Sequence, residues 1–195
     1  MAVSTIAYHR GLFPDKCFKP RRSTNGVQIY QLVGNDEESG RMIDWLEEGV
    51  FSALDRRFLR RMTLVLLHCP LEDGSPSDGF PGKIIEKYSF EFSYESTEMR
   101  DRTSGVVCTS KDDALYAIES LLHGLVGTTQ RLPRLPDHFY VDMILDYFQA
   151  NLPPNYNPPF FKCGEETGDD PNVDYARIGE ILTGYHDISI GMCTV

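Results

Sequence analysis

The chain has 195 residues, 41% of them hydrophobic and 11% aromatic, with a formal net charge of −10. That is the length of one domain, long enough to bury roughly two-thirds of its unfolded surface without a disulfide or a metal. The acid excess argues against unassisted nucleic-acid binding, no apolar run approaches the roughly 18 residues of a membrane span, and MAVSTIAYHRGLF lacks the order of a signal peptide.

The first predicted element is a helix over Ala2–Tyr8, stopped by Gly11 and Pro14. Residues 15–35 read as irregular and basic, with a short strand at Ile29–Val33. A long helix follows from Asn35, capped by Asn35 with Glu38 three residues on. Its apolar stripe is Ile43, Leu46, Val50, Leu54 and Phe58, and Arg56, Arg57, Arg60 and Arg61 fall at its end, where they complement the dipole or dock an acidic partner. Gly49 lies inside it, at a cost of about 1 kcal/mol against alanine, which implies close packing there or a tolerated loss.

TLVLLHC reads as a central strand, apolar on both faces. In IIEKYSFEFSYE, Tyr88, Phe90, Phe92 and Tyr94 share one face, and Lys87, Ser89, Glu91, Ser93 and Glu95 the wet one. Residues 96–110 are polar and loop-like. A helix then carries Leu115, Ile118, Leu122 and Leu125 on one side, and RLPRLP ends it. HFYVDMILDYF is another alternating strand. NLPPNYNPPFF follows as a proline-locked connector, extended and leading out of that strand. ARIGEIL and YHDISIGMCTV close the chain as strands. The order of elements predicts an α+β domain with helices on one face of a mainly antiparallel sheet. From residue 162 onward there are seven acidic residues and two basic ones, a solvated loop, or a flap that stays soluble while undocked or selects basic ligands.

The usual catalytic and nucleotide-binding motifs are missing. Five scattered cysteines without a C-x-x-C point to free thiols in a reducing compartment. His68 beside Cys69 would place its two side chains on opposite faces of a strand. Asp142 and Asp146 share a face but lie roughly 13 Å apart, too far for a shared proton. The expectation is a binding module with no metal and no cofactor.

Four stretches carry a resemblance. YHRGLFPDKCF is similar to a Y-x-R-G-[LI]-F-P-E element. SGRMIDWLEEGVFSALDRRFLRRM and IIEKYSFEFSY resemble a second helix and a central strand. NLPPNYNPPFF resembles a T-P-P-D-Y-x-P-P-x-F connector. Together they resemble the HORMA domain of meiotic chromosome-axis proteins, of the yeast Hop and plant asynaptic type.

The resemblance implies a HORMA fold over residues 1–195 as one domain, with a core to about 161 and a mobile C-terminal safety belt over about 162–195. It implies a non-catalytic module in the nucleus, on chromosomes. There it captures closure-motif peptides of meiotic axis proteins or of other HORMA copies, supporting axis assembly, recombination and synapsis. The peptide would add as a strand along Phe139, Tyr140, Val141, Asp142, Met143, Ile144, Leu145, Asp146 and Tyr147. The connector would comprise Pro153, Pro154, Tyr156, Pro158, Pro159, Phe160 and Phe161, with Tyr156, Phe160 and Phe161 as anchors. The belt strands would carry Ile178, Ile181, Ile188, Ile190 and Met192.

An AAA+ remodelling ATPase is a further partner the family implies. It engages the region where this sequence begins, inside the first helix, which sets that expectation in doubt. The competing readings are a spindle-checkpoint or DNA-repair adaptor of the same fold, and a small thiol-dependent enzyme using Cys69 or Cys163.

Overall fold

The computed structural model describes residues 1–22, 28–68, 71–72, 75–76, 82–94, 108, 110–162, 175–183 and 186–194. The chain runs α1 (Ala2–His9), β1 (Phe18–Arg22), β2 (Gln28–Leu32), α2 (Glu37–Asp44), a π-helical stretch (Trp45–Val50), α3 (Phe51–Asp55), β3 (Leu59–His68) and two short strands, β4 (Leu71–Glu72) and β5 (Ser75–Pro76). Then come β6 (Lys83–Tyr94), α4 (Lys111–Thr129), β7 (Phe139–Tyr147), β8 (Ala176–Leu182) and β9 (His186–Thr194). Five strands form an antiparallel sheet in the order β7-β3-β6-β9-β8. The helical segments pack with it around one apolar core, to which Ile6, Val50, Leu125, Leu64, Tyr88 and Ile190 contribute.

The RGLF element has a local physical cause. Gly11 has φ +64°, its amide donates to the Tyr8 carbonyl at 3.1 Å, and the Leu12 amide reaches back to Ala7 at 2.9 Å. This is a Schellman cap, and only glycine takes that backbone region without strain. Arg10 then turns inward. Its guanidinium donates to both carboxylate oxygens of Glu86 on β6, at 2.9 and 2.5 Å, and to the Pro133 carbonyl at 2.7 Å. The Tyr88 hydroxyl donates to the same carboxylate at 2.7 Å, and burial pushes the Tyr88 phenol up.

The long helix differs from expectation at both ends. Its N-cap is Asp36, not Asn35. Asp36 accepts from the Ser39 amide, and Ser39 answers the Asp36 amide. The Asn35 side chain instead donates to the Lys16 carbonyl. The Cys17 thiol also donates to Asp36, at 2.9 Å. That bond and those from Ser39 hold the Asp36 carboxyl at about 2, below the usual carboxylate range.

The linkage has a definite sign. The contribution of Asp36 is complete above its unfolded value near 3.8 and is lost as pH falls through about 2. Asp36→Asn keeps a competent cap but cannot titrate. Denaturation titrations at pH 5 and pH 2.5 will therefore show a smaller acid-induced loss in the variant than in the parent chain.

The helix ends at Asp55, so Arg60 and Arg61 belong to β3 and do not extend the helix. A second Schellman cap ends it: Arg57 donates to Leu54 at 2.9 Å and Phe58 to Ala53 at 3.0 Å. The left-handed position, φ +58°, is occupied by Arg57. No glycine or proline marked this stop, so helical spacing carried the prediction past it. Arg57→Gly relieves a left-handed non-glycine residue, and a gain of about 1 kcal/mol in urea denaturation is expected.

Two further corrections follow from packing. Residues 15–35 are not irregular throughout: β1 and β2 pair as an antiparallel ribbon from Phe18↔Leu32 to Arg22↔Gln28. A two-stranded ribbon leaves each strand with an open side, so it accepts Pro20. The supposedly wet face of β6 is also part-buried. Ser89 is buried there, as are Thr63 and Val65 on the same face of β3 and Cys193 on β9. These short side chains lie in the middle of the sheet between flanking strands. In α4, Leu115 is exposed, and Ala117 and Leu121 join Leu122 and Leu125 inside. Glu95, the 96–107 stretch, Cys69 and Cys163 lie outside the described residues.

A candidate peptide-binding edge

A five-stranded open sheet has two edges, here β7 and β8. The β8 edge is poorly suited to accept another strand. Its pairing with β9 is interrupted by a bulge between Arg177 and Gly179, and an Arg177–Glu180 ion pair spans that point. Bulges and charges are common ways of blunting an edge. Helix α4 also closes on it, so that a Cβ on Gly124 would lie 3.3 Å from the Ile178 carbonyl oxygen.

The β7 edge is regular except at its end, where the register with β3 shifts between Leu59 and Arg61, opposite Tyr147 and Asp146. Its register with β3 runs without interruption from Asp146↔Arg61 to Phe139↔His68. Just beyond, the Phe148 amide donates to Phe58 of the neighbouring chain segment at 2.8 Å. Alternation from that inward-facing residue turns the amides and carbonyls of Tyr147, Leu145, Met143, Val141 and Phe139 to the free side. A separate contact agrees: the Met143 amide is taken by the Asp142 Oδ1 of its own strand, at 2.8 Å. Met143 is buried on the core face, and Phe139, Val141, Leu145 and Tyr147 pack against the core. Tyr140 and Asp142 are exposed on the opposite face.

The connector is folded rather than extended. Residues 149–151 form one turn of 3₁₀ helix. Two copies of one device follow. In PPNY, Tyr156 donates to the Pro153 carbonyl at 3.1 Å and Asn155 has φ +61°. In PPFF, Phe161 donates to Pro158 at 3.3 Å and Phe160 has φ +69°. Proline at the second position and positive φ at the third make each a type II turn. The duplicated Pro-Pro-x-aromatic was readable in the sequence. What it missed was that the third residue of each turn must turn left-handed.

The anchors are Tyr156, Phe161 and Pro158. Tyr156 sits edge-on to Phe58 and Tyr147, with ring centroids 5.0 and 5.4 Å away, and the Arg56 guanidinium lies 5.9 Å over its ring. Its hydroxyl is buried and has no hydrogen-bond partner among the described residues. Phe161 lies against Trp45, centroids 6.4 Å apart, and over Gly49. Pro158 is buried. Phe160 is 55% exposed and is not an anchor, because the left-handed turn at its backbone points the ring outward. Asn157 ties the loop by donating to the Phe161 carbonyl at 2.6 Å. Gly49 resolves the question raised by its helix cost. A Cβ there would overlap the Phe161 ring, 2.9 Å from Cδ2, and would meet the Pro159 carbonyl oxygen at 3.0 Å.

The C-terminal strands are full members of the sheet. β9 lies between β6 and β8, paired with Glu86–Tyr94 in continuous register. Ile181, Ile190 and Met192 are buried, and Ile178 and Ile188 pack against the core. They occupy the far side of the sheet, and among the described residues no strand pairs with the outer side of β7.

Asp142 and Asp146 do not form a dyad. Arg61 holds Asp146 at 2.8 Å. Among the described residues no group of three metal-ligating side chains occurs, and no helix is long and apolar enough to cross a membrane. Burial pushes the Cys17, Cys108 and Cys193 thiols up, which keeps them protonated.

The sequence profile of the HORMA domain matches residues 1–186. The chain belongs to the HORMA domain family. It is 33% identical over 183 residues to meiosis-specific protein ASY1 of Arabidopsis thaliana, a match covering 85% of this chain and 29% of that protein. HORMA domain-containing protein 2 of Bos taurus is 30% identical over 205 residues, 99% of this chain and 63% of the relative. The chain thus spans less than two-thirds of either relative. The structure of C. elegans HTP-1 bound to HTP-3 motif-1 superposes with a TM-score of 0.75 at 20% identity, covering 98% of this HORMA domain and 84% of that chain. The expected α+β fold stands, and HORMA domains are binding modules without catalytic activity.

Proposed function

We propose that this HORMA domain captures short peptides as a sixth strand along Phe139–Tyr147. The one observation that carries this reading is the β7 edge, which pairs on its outer side with no strand among the described residues and is flanked at Tyr147 by the anchored connector. Outward amides and carbonyls would supply affinity, and alternate side chains specificity. The chain would act as a single domain with a core to about 161 and a belt over about 162–195. The belt leaves β7 through the double turn and would cross over the bound strand before β9 docks on β6 and β8 on β9. By relation to the meiosis-specific members, the ligands would be closure motifs of axis proteins or of other HORMA copies, met in the nucleus on chromosomes. If an AAA+ ATPase opens the belt, α1 is the element to pull, since Arg10 ties it to β6.

Hydrogen–deuterium exchange with the HTP-3 motif-1 peptide, peptides tiled from meiotic axis proteins and a checkpoint-derived set tests this. Protection of 139–147 together with 162–175 is the expected result. Protection of 176–182 alone would move the site to the other edge. No protection by any peptide would end the reading, and protection by the checkpoint set alone would move the protein out of meiosis.

A further inference from the structure

The receiving strand carries its own plug. Of the five outward amides on β7, the central one, Met143, is already held by the Asp142 carboxylate. A strand joining this edge needs that amide, so it must first expel the carboxylate. Among the described residues Asp142 forms no ion pair. Asp146, its neighbour on the same face, is committed to Arg61. Lys87 lies in the same cross-strand row through Val65, two strands away, with roughly 10 Å between the two backbones. Among the described residues, the carboxylate that a joining strand expels is therefore one that no cation already pairs.

We propose that Asp142 gates the β7 edge: its carboxylate holds the Met143 amide until a peptide strand displaces it, and then selects a lysine or arginine on that peptide. This rests on the β7 reading above. The favoured ligand carries its basic residue at the position aligned with Asp142, because aligned residues of adjacent strands project to the same face. While the plug is in place, a charge over the edge centre also discourages unspecific strand pairing.

Three substitutions at Asp142 separate the two roles. Asp142→Asn keeps a carbonyl to cap the amide but loses the charge. Asp142→Ala loses both. Asp142→Lys loses the cap and reverses the charge. Per-residue amide exchange on the whole chain reads the cap. Met143 should exchange roughly threefold to tenfold more slowly than Val141 and Leu145 in the parent and in Asp142→Asn, but not in Asp142→Ala.

Selection from a random twelve-residue peptide library reads the selectivity. The parent should enrich Lys or Arg at one position, by roughly twofold to fivefold as expected for a partly exposed pair. Asp142→Lys should enrich Asp or Glu there, and Asp142→Asn neither. Selected peptides that protect Val141, Met143 and Leu145 but show the same residue preference for parent and Asp142→Lys would overturn the gate and leave the β7 reading intact. Selected peptides that protect no β7 amide in any variant would overturn both.

Discussion

Arg10→Ala will destabilise the fold by about 3–5 kcal/mol, because it strands a buried carboxylate. The side chains of Arg10 and Glu86 are only 5% and 2% exposed. The guanidinium bridges three acceptors: both Glu86 oxygens and the Pro133 carbonyl. After truncation, Glu86 keeps, among the described residues, the Tyr88 hydroxyl alone, and a buried charge with one neutral donor is poorly compensated. Against a typical total of about 5–15 kcal/mol, the loss is a large share of stability.

The comparison set makes this specific. Arg10→Lys should cost less than alanine yet remain destabilising, since one ammonium cannot reproduce the planar fork. The double substitution Arg10→Met with Glu86→Leu removes both charges and should recover most of the loss, as buried ion pairs often tolerate hydrophobic replacement. Urea denaturation of the four proteins decides. A cost below about 1 kcal/mol for Arg10→Ala would show that the pair contributes little beyond its own desolvation.

Gly49→Ala will change sign with its partner. In the parent chain the new methyl collides with the Phe161 ring and the Pro159 carbonyl, and overpacking of this kind costs about 1–3 kcal/mol. Alanine gains about 1 kcal/mol of helix propensity over glycine, which offsets part of that. With Phe161→Ala the collision with the ring is gone, and the propensity gain should dominate. Gly49→Ala is therefore expected to destabilise the parent and to stabilise the Phe161→Ala background. A double-mutant cycle by chemical denaturation measures this coupling. Equal effects in both backgrounds would mean that Phe161 does not rest on Gly49 in solution. Under the peptide-capture reading, releasing Phe161 frees the connector, so Gly49→Ala should also speed dissociation of a bound peptide.

Most of the strands and helices were legible, although β1 was read as irregular chain. Alternation over Tyr88–Tyr94 and Phe139–Tyr147 and helical spacing in 111–129 are local signals, set by the two backbone periods. The motif residues were legible too, although their reasons were not. YHRGLF is a buried cation's reach to residue 86 followed by a left-handed cap. PPNYNPPFF is a turn made twice, which fixed prolines alone could not distinguish from an extended run. Errors fell where local signals gave out: at Arg57, where an arginine takes a glycine's conformation; at Asp36, where an adjacent residue won the cap; and at Ser89, where position in the sheet outweighed polarity.

By itself, the sequence determined most element types, the antiparallel α+β class and the family, because propensity, periodicity and motif spacing are properties of neighbouring residues. Only the tertiary structure decided which edge is left open. Whether β9 joins β6 or β7 depends on pairings roughly a hundred residues apart or less than fifty, and periodicity within a strand carries no record of its partner. The same holds for the Arg10–Glu86 pair and the Gly49–Phe161 contact, which distant segments complete once they are packed. The plug at Asp142 is local in sequence, yet it acquires meaning only because β7 ends the sheet.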